Sequence, residues 1–160
     1  NEWIPTFPNA RYLIAEKEWI YWDKNENEDL YGPGISDSVR PVIEAGMVNF
    51  VDDYFRICDE VNLFPTPGHT PGHVSLLITS KKEKALITGD FIHHPVQMTK
   101  TDWCSSADYD KGQGQLTRET LLKKYVDQDI LIIGTHFSTP TAGYIKRLEE
   151  GGYWLDVNKF

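Results

Sequence analysis

The spacing of hydrophobic and polar residues along the chain indicates strands and helices in alternation. Apolar residues three and four positions apart predict helices over 16–22, from about 38 to 47, and over 115–126. Short apolar runs bounded by turn residues predict strands over 11–15, 50–51, 54–57, 61–64, 74–80, 84–89, 130–133 and 151–157. Residues 23–34, rich in Asp, Asn, Glu and Gly, predict a loop. Strands with interspersed helices give an α/β layered domain.

Length and composition both fit one globular domain. The chain has 160 residues, of which 40% are hydrophobic and 25% are charged, and these fractions are close to those of ordinary globular proteins. A chain of this length buries enough surface to hold its own core. We therefore expect a single domain over residues 1–160.

Charge and cysteine content narrow the class of protein. The net charge of −8 argues against nucleic acid as a partner, because phosphate binding needs clustered Lys and Arg. The two cysteines, Cys58 and Cys104, have neither the number nor the spacing of a disulfide scaffold or zinc finger. No apolar stretch approaches the ~20 residues that a membrane helix needs. We expect a soluble, cytoplasmic protein that does not bind a membrane.

Three polar side chains each follow an apolar strand and a glycine. His69 follows LFPTPG, Asp90 follows ALITG and His136 follows ILIIGT. Strand ends are where α/β sheets present functional groups, so the three side chains can converge in one crevice. Imidazole nitrogens and carboxylate oxygens are ligands that zinc and similar divalent ions accept. Taken singly, each residue is more typical of an ordinary loop, and it is the repetition at three strand ends that indicates a metal site.

The stretch FPTPGHTPGH also contains a second histidine, His73. Histidines four residues apart share a face only on a helix, and Pro71 and Gly72 prevent a helix from running between His69 and His73. We therefore interpret His73 as a loop residue or as a hydrogen-bond partner of a metal ligand, not as a ligand itself.

A second group of residues is predicted to contact substrate. His93 and His94 are adjacent and point in different directions, so one of them can line a pocket beside Asp90; placement at the surface is an equally good interpretation. Phe91 and Trp103 would add apolar lining, since substrate pockets are mostly apolar.

The motifs TPGHTPGH, ALITGDFIHHP and IIGTHF, in this order and spacing, resemble those of the metallo-beta-lactamase superfamily. The resemblance implies that the chain forms part of an αβ/βα sandwich. It also implies that His69 and His136 are histidine ligands of two metal sites and that Asp90 is the catalytic carboxylate that bridges both metals. Zinc is the default ion, two per complete protein, and iron, manganese or cobalt suit the same ligands.

The activity implied by the resemblance is hydrolysis of a small ester, lactone or related substrate by a metal-bound hydroxide. The expected partner is thus a small-molecule substrate, and a homodimer is left open. The superfamily signature H-x-H-x-D-H, which carries further metal ligands, occurs nowhere in the 160 residues. We expect the C-terminal portion of such a hydrolase, inactive or weakly active alone. The alternative is a structural or assembly module with a vestigial or partial metal site.

Overall fold

The computed structural model describes residues 3–25 and 33–158. The chain divides into two compact units, Asn1–Asp53 and Tyr54–Phe160. The expectation of one domain over residues 1–160 stays a prediction. Most of the loop predicted over 23–34 lies outside the described residues.

Among its described residues, the first unit contains a two-stranded parallel sheet, two α-helices and a π-helical turn. Strands β1 (Tyr12–Ala15) and β2 (Val48–Val51) pair from Tyr12 opposite Val48 to Ala15 opposite Val51. Helix α1 (Glu16–Asn25) follows β1 directly, and its Trp19 ring stacks on Phe50 with 6.0 Å between centroids.

The helix predicted from about residue 38 to 47 is shorter in the structure. A π-helical turn (Ile35–Val39) precedes helix α2 (Arg40–Glu44), and Pro41 lies in the first turn of α2, where its missing N–H costs nothing. The helix ends at Glu44 because Gly46 adopts a left-handed conformation with φ of +67°.

The second unit is built on a six-stranded sheet. In chain order its strands are β3 (Val61–Pro65), β4 (Val74–Ser80), β5 (Glu83–Ile87), β6 (Leu131–Ile133), β7 (Ala142–Arg147) and β8 (Tyr153–Asp156), and they lie side by side in that order. All neighbours are antiparallel except β5 and β6, which are parallel. Strands β3, β5 and β6 therefore run in the same direction, and their carboxyl ends share one edge of the sheet.

Helix α4 (Lys111–Tyr125) packs against the strands of this sheet. It begins at Asp110, whose side chain accepts a hydrogen bond from the backbone N–H of Gln113. Its Leu121 and Leu122 belong to one buried cluster with the strand residues Leu86 and Ile132. Each fully buried leucine of this kind contributes about 1.5–3 kcal/mol to folding.

Two parts of the sheet differ from the predicted pattern. The strand predicted over 54–57 is reduced to an isolated bridge between Arg56 and Asn62. Strand β7, in contrast, was not predicted, because AGYIKR has neither an apolar run nor a clear alternation. Gly143 of β7 is required there, since a Cβ would lie 2.6 Å from the carbonyl oxygen of Asp156 on β8.

A short helix, α3 (Val96–Thr99), was also not predicted from the sequence.

Cys58 and Cys104 are both free thiols. Within residues 3–25 and 33–158, no helix combines the length and apolar character needed to cross a bilayer.

Candidate metal centre

The sheet topology brings the three predicted strand-end residues together. In the parallel pair of β5 and β6, Ile87 lies opposite Ile133, and these are the last residues of the two strands. Asp90 and His136 each lie three positions after these paired residues. Both therefore lie just beyond the carboxyl ends of the two strands, on the same side of the sheet. Strand β3 runs in the same direction and ends at Pro65, and its outgoing loop carries His69 to the same edge.

Asp90 lies between the two imidazoles and presents one carboxylate oxygen to each. Its Oδ2 is 3.4 Å from Nε2 of His69, and its Oδ1 is 3.1 Å from Nε2 of His136. The Asp90 side chain is 32% exposed and that of His136 is 49% exposed, so the cluster is open to solvent on one side. One carboxylate with its two oxygens directed at two histidines is an arrangement that can bridge two cations.

His73 holds the backbone of Asp90. Its Nε2 accepts a hydrogen bond of 2.8 Å from the Asp90 N–H, so its proton must lie on Nδ1. Nδ1 then donates toward Thr66, whose Oγ1 and carbonyl oxygen lie at 2.7 and 3.1 Å. Burial lowers the pKa of His73 to about 4 and keeps the ring neutral, as this pattern of bonds requires.

The hydroxyl groups behind His73 extend this network into the sheet. Ser75 Oγ donates to the carbonyl oxygen of Thr88 at 2.7 Å and lies 3.0 Å from Thr66 Oγ1. Because Ser75 uses its proton on Thr88, the Thr66 hydroxyl donates to Ser75 and accepts from His73. Thr66, Ser75 and Thr88 are almost fully buried. The loop that carries His69 is thus tied to the strand end that carries Asp90.

Asp108 was not predicted from the sequence, and it contacts the ring nitrogen of His69 that is turned away from Asp90. Its Oδ1 lies 3.0 Å from Nδ1 of His69, and its Oδ2 accepts the Ser105 N–H at 3.0 Å and lies 3.6 Å from Arg118. Burial disfavours the charged carboxylate, but the hydrogen bonds from His69 and Ser105 and the charge of Arg118 outweigh it and hold the pKa of Asp108 below its usual range. Asp108 is therefore an anion beneath His69.

His93 lies between the two histidines that flank Asp90. Its ring centroid is 5.0 Å from that of His69 and 4.9 Å from that of His136. Its Nδ1 is buried and has no hydrogen-bond partner among the described residues. Burial, reinforced by the charge of His69, lowers the pKa of His93. A buried ring nitrogen left without a partner is unusual for an imidazole and fits a site that is built to hold a further group.

The set of donors fits a divalent cation. Two groups have ligand atoms that all lie within 4.8 Å of one another, one made of His69, His93 and Asp108, the other of Asp90, His93 and His136. Such sets of imidazole and carboxylate groups suit zinc and other first-row divalent ions.

Comparison with known families agrees with this geometry. The family model described as the metallo-beta-lactamase superfamily matches residues 2–136. The chain belongs to the metallo-beta-lactamase superfamily. No curated protein sequence matches the chain.

Solved structures of metallo-beta-lactamase superfamily hydrolases have the same fold. The chain is similar to the hydrolase AbOPH, with a TM-score of 0.83 and 20% identity over 98% of this chain and 58% of that chain. It is also similar to AidC, a dizinc quorum-quenching lactonase in complex with the product N-hexanoyl-L-homoserine, with a TM-score of 0.75 and 24% identity over 94% of this chain and 55% of that chain.

A third similar structure is a probable metal-dependent hydrolase from Staphylococcus aureus, with a TM-score of 0.74 and 17% identity over 94% of this chain and 54% of that chain. The chain thus spans just over half the length of each of these three structures. The prediction that the chain has the α/β fold of this superfamily is confirmed.

The four residues predicted to contact substrate differ in burial and in their neighbours. The His93 ring lies beside those of His69 and His136, whereas His94 is exposed and its Nδ1 accepts the Val96 N–H at 3.0 Å. Phe91 is buried in the main hydrophobic cluster, the one that also contains Leu122 of α4 and Leu86 of β5. Trp103 is 56% exposed. A substrate role for these four positions stays a prediction, as does metal binding by His69, Asp90 and His136.

Proposed function

We propose that the protein is a metal-dependent hydrolase of a small ester, lactone or related substrate, and that His69, Asp90 and His136 are part of a centre for two divalent cations. The observation that carries the proposal is that the two oxygens of the Asp90 carboxylate contact different histidines. Oδ2 lies 3.4 Å from Nε2 of His69, and Oδ1 lies 3.1 Å from Nε2 of His136. A carboxylate that only formed a surface ion pair would not need a histidine on each oxygen.

The chemistry of the donors supports divalent metal. His69 would bind one cation, His136 the other, and Asp90 would bridge them, with zinc as the default ion. When bound, such cations supply Lewis acidity, which activates water and polarises the scissile group. Three ligands do not complete two sites, because a zinc site normally has three or four protein ligands.

The residues around the ligands keep them in place. His73 accepts the Asp90 N–H and donates to Thr66, so the backbone at Asp90 is fixed before any substrate arrives. Asp108 accepts from Nδ1 of His69 and leaves Nε2 directed toward Asp90. Such preorganisation is what a hydrolytic site needs to hold ligands at a precise separation.

The substrate class is supported by similarity in fold. AidC is a lactonase whose structure contains N-hexanoyl-L-homoserine, and a second similar structure, an N-acyl homoserine lactone hydrolase, has the same product at its catalytic metal center. We extend the lactone and small-ester class to this protein because the fold is shared, with Phe91, His93, His94 and Trp103 as the residues proposed to contact substrate.

Metal analysis combined with an activity screen tests the proposal. The natural protein is expected to bind two zinc ions and to hydrolyse at least one class among lactones, aryl esters and phosphotriesters. Asp90→Ala should lose the paired ions, because the carboxylate would contact both. Asp102→Ala, at an exposed aspartate, serves as the matched control. Two tightly held zinc ions in Asp90→Ala would contradict the proposal.

A second candidate function is favoured by the absence of H-x-H-x-D-H from the 160 residues. In this case the chain is a structural or assembly module with a partial metal site. The 160-residue chain is then expected to bind fewer than two metal ions per molecule and to show no turnover. Two ions per chain with turnover of any of the three substrate classes would exclude this candidate.

A further inference from the structure

His93 is common to both groups of candidate ligands. The first group joins it to His69 and Asp108, and the second joins it to Asp90 and His136. It lies about equally far from its two histidine neighbours, at 5.0 and 4.9 Å between ring centroids. A cation that used His93 must therefore select one of the two groups.

The existing bonds decide against the group that contains Asp108. Asp108 already accepts from His69 and from the Ser105 N–H, and the Arg118 guanidinium lies 3.6 Å away. A cation bound to Asp108 would have to displace the Nδ1 proton of His69 and would lie near a fixed positive charge. Both effects oppose binding.

The group that contains Asp90 is more open to a cation. Oδ1 of Asp90 and Nε2 of His136 face each other at 3.1 Å, and both side chains are partly exposed, at 32% and 49%, so a cation from solvent can replace a proton held between them. The His93 ring stacks against that of His136 with an interplanar angle of 28°. The buried Nδ1 of His93 lacks a hydrogen-bond partner among the described residues.

We propose that His93 is a metal ligand, and that Asp90, His93 and His136 together hold one divalent cation on this chain. The proposal rests on the proposed function only in placing a cation at Asp90. It assigns the His93 ring to the cation, and this replaces the contact with substrate proposed for His93 under the proposed function. Three protein ligands with a vacant coordination position are also the arrangement found in hydrolytic zinc sites.

The local fold does not depend on the His93 side chain. The backbone N–H groups of His93 and His94 both donate to Oε1 of Gln97, at 2.7 and 3.1 Å, and Gln97 in turn donates to the carbonyl oxygen of Trp103. Gln97 therefore holds the loop through the backbone. Replacing the His93 ring should leave the loop in place, which makes this position suitable for a binding test.

The adjacent His94 provides a matched control. It has the same chemistry and the same backbone support, but its side chain is exposed and bonds locally to Val96. We propose titration of the metal-free 160-residue chain with Zn²⁺ alone and with Co²⁺ alone by calorimetry. His93→Gln should weaken binding by about tenfold or more, because loss of a residue that merely hydrogen-bonds to a metal ligand already weakens binding by this much. His94→Gln should bind Zn²⁺ and Co²⁺ as the wild type does.

X-ray absorption at the zinc edge provides a readout that does not depend on activity. The wild-type chain with one Zn²⁺ should show two imidazole ligands, and His93→Gln should show one. His93→Ala provides a second variant, and thermal unfolding of the metal-free variants checks that both are folded. A wild-type chain whose zinc has a single imidazole ligand would overturn the proposal without any variant.

The pattern across variants separates the two proposals. If Asp90→Asn and His136→Gln weaken Zn²⁺ binding but His93→Gln does not, His93 is not a ligand and the proposed metal centre stands. If none of the three changes binding, both proposals fail. Equal weakening by His93→Gln and His94→Gln would also overturn the role of His93, since the effect would then belong to the loop as a whole.

Discussion

Nδ1 of His69 lies 3.0 Å from Oδ1 of Asp108, while Nε2 of the same ring lies 3.4 Å from Oδ2 of Asp90. Because Asp108 is held as an anion, it keeps a proton on Nδ1, so a cation at His69 would bind through Nε2. Asp108 thereby determines which nitrogen of His69 is directed toward the candidate metal centre. A carboxylate behind a histidine ligand in this way raises the basicity of the ring and fixes its orientation.

Asp108→Asn should weaken binding of the Zn²⁺ ion proposed for His69 by about 10–100-fold, because the amide preserves the shape of the side chain but not its charge. Binding of the cation proposed for Asp90, His93 and His136 should not change. Calorimetric titration of the metal-free chain measures this change. The control is Asp102→Asn, which changes an exposed aspartate in the same loop and should leave the affinity as it is. Wild-type affinity in Asp108→Asn would show that His69 does not need its anionic partner or does not bind metal.

Replacement of Arg118 is expected to lower the free energy of unfolding strongly. It is fully buried, and it donates to the carbonyl oxygens of Phe91 and Thr101 at 3.2 Å, besides its approach to Asp108. Arg118→Met would leave the Asp108 charge buried without its cation and would leave both carbonyl groups without this donor. We expect a loss of about 3–5 kcal/mol in the free energy of unfolding, measured by urea denaturation.

The exposed pair of Arg56 and Asp59, at 2.7 Å, gives the comparison for that variant. Arg56→Met removes the same type of charge from the surface, where solvent screening leaves ion pairs worth only about 0–1 kcal/mol. Equal losses in Arg118→Met and Arg56→Met would show that the buried arginine does not support the fold as its contacts indicate.

The convergence of the strand ends could be predicted because it depends on local patterns that the sequence shows directly. The runs ending at Ile87 and Ile133 are apolar and clearly bounded, and each is followed at the same interval by a candidate ligand, Asp90 or His136. Once these two strands pair in parallel, the two side chains must meet. The sequence did not show that the strands are neighbours, but the repeated pattern made it a reasonable expectation.

The parts of the site that were missed depend on contacts between distant positions. Asp108 lies 39 positions from His69, in a loop without hydrophobic periodicity, so no local signal distinguishes it from an exposed aspartate. Arg118 is on a helix whose polar residues outnumber its apolar ones, and its burial follows only from the packing of α4 on the sheet. Strand β7 was missed for a similar reason, since it is defined by its neighbours β6 and β8.

The core under α4 gives a prediction that is independent of metal. Leu122 is 1% exposed and lies in the main hydrophobic cluster, so Leu122→Ala should lower the free energy of unfolding by about 2–5 kcal/mol. Leu116, on the same helix, is 57% exposed, and Leu116→Ala should cost far less. Urea denaturation of the metal-free chain compares the two. A cost at Leu116 equal to that at Leu122 would contradict the packing of α4 described above.

Gly89 joins strand β5 to Asp90, and two separate effects restrict it to glycine. Its φ is +55°, and a Cβ there would lie 2.6 Å from Nε2 of His73, the atom that accepts the Asp90 N–H. Gly46 has a similar φ of +67° but nothing within 4 Å of its Cβ position. Gly46→Ala therefore carries the cost of the backbone conformation alone, about 1–2 kcal/mol.

Gly89→Ala should cost more than Gly46→Ala in thermal unfolding, because His73 must move as well. It should also weaken Zn²⁺ binding measured by calorimetry, since displacement of the His73 ring releases the backbone of Asp90, whereas Gly46→Ala should bind as the wild type does. If Gly89→Ala kept wild-type affinity, the bond from Asp90 to His73 would not position the carboxylate. If the two variants lost equal stability, the close approach of His73 to Gly89 would have no energetic consequence.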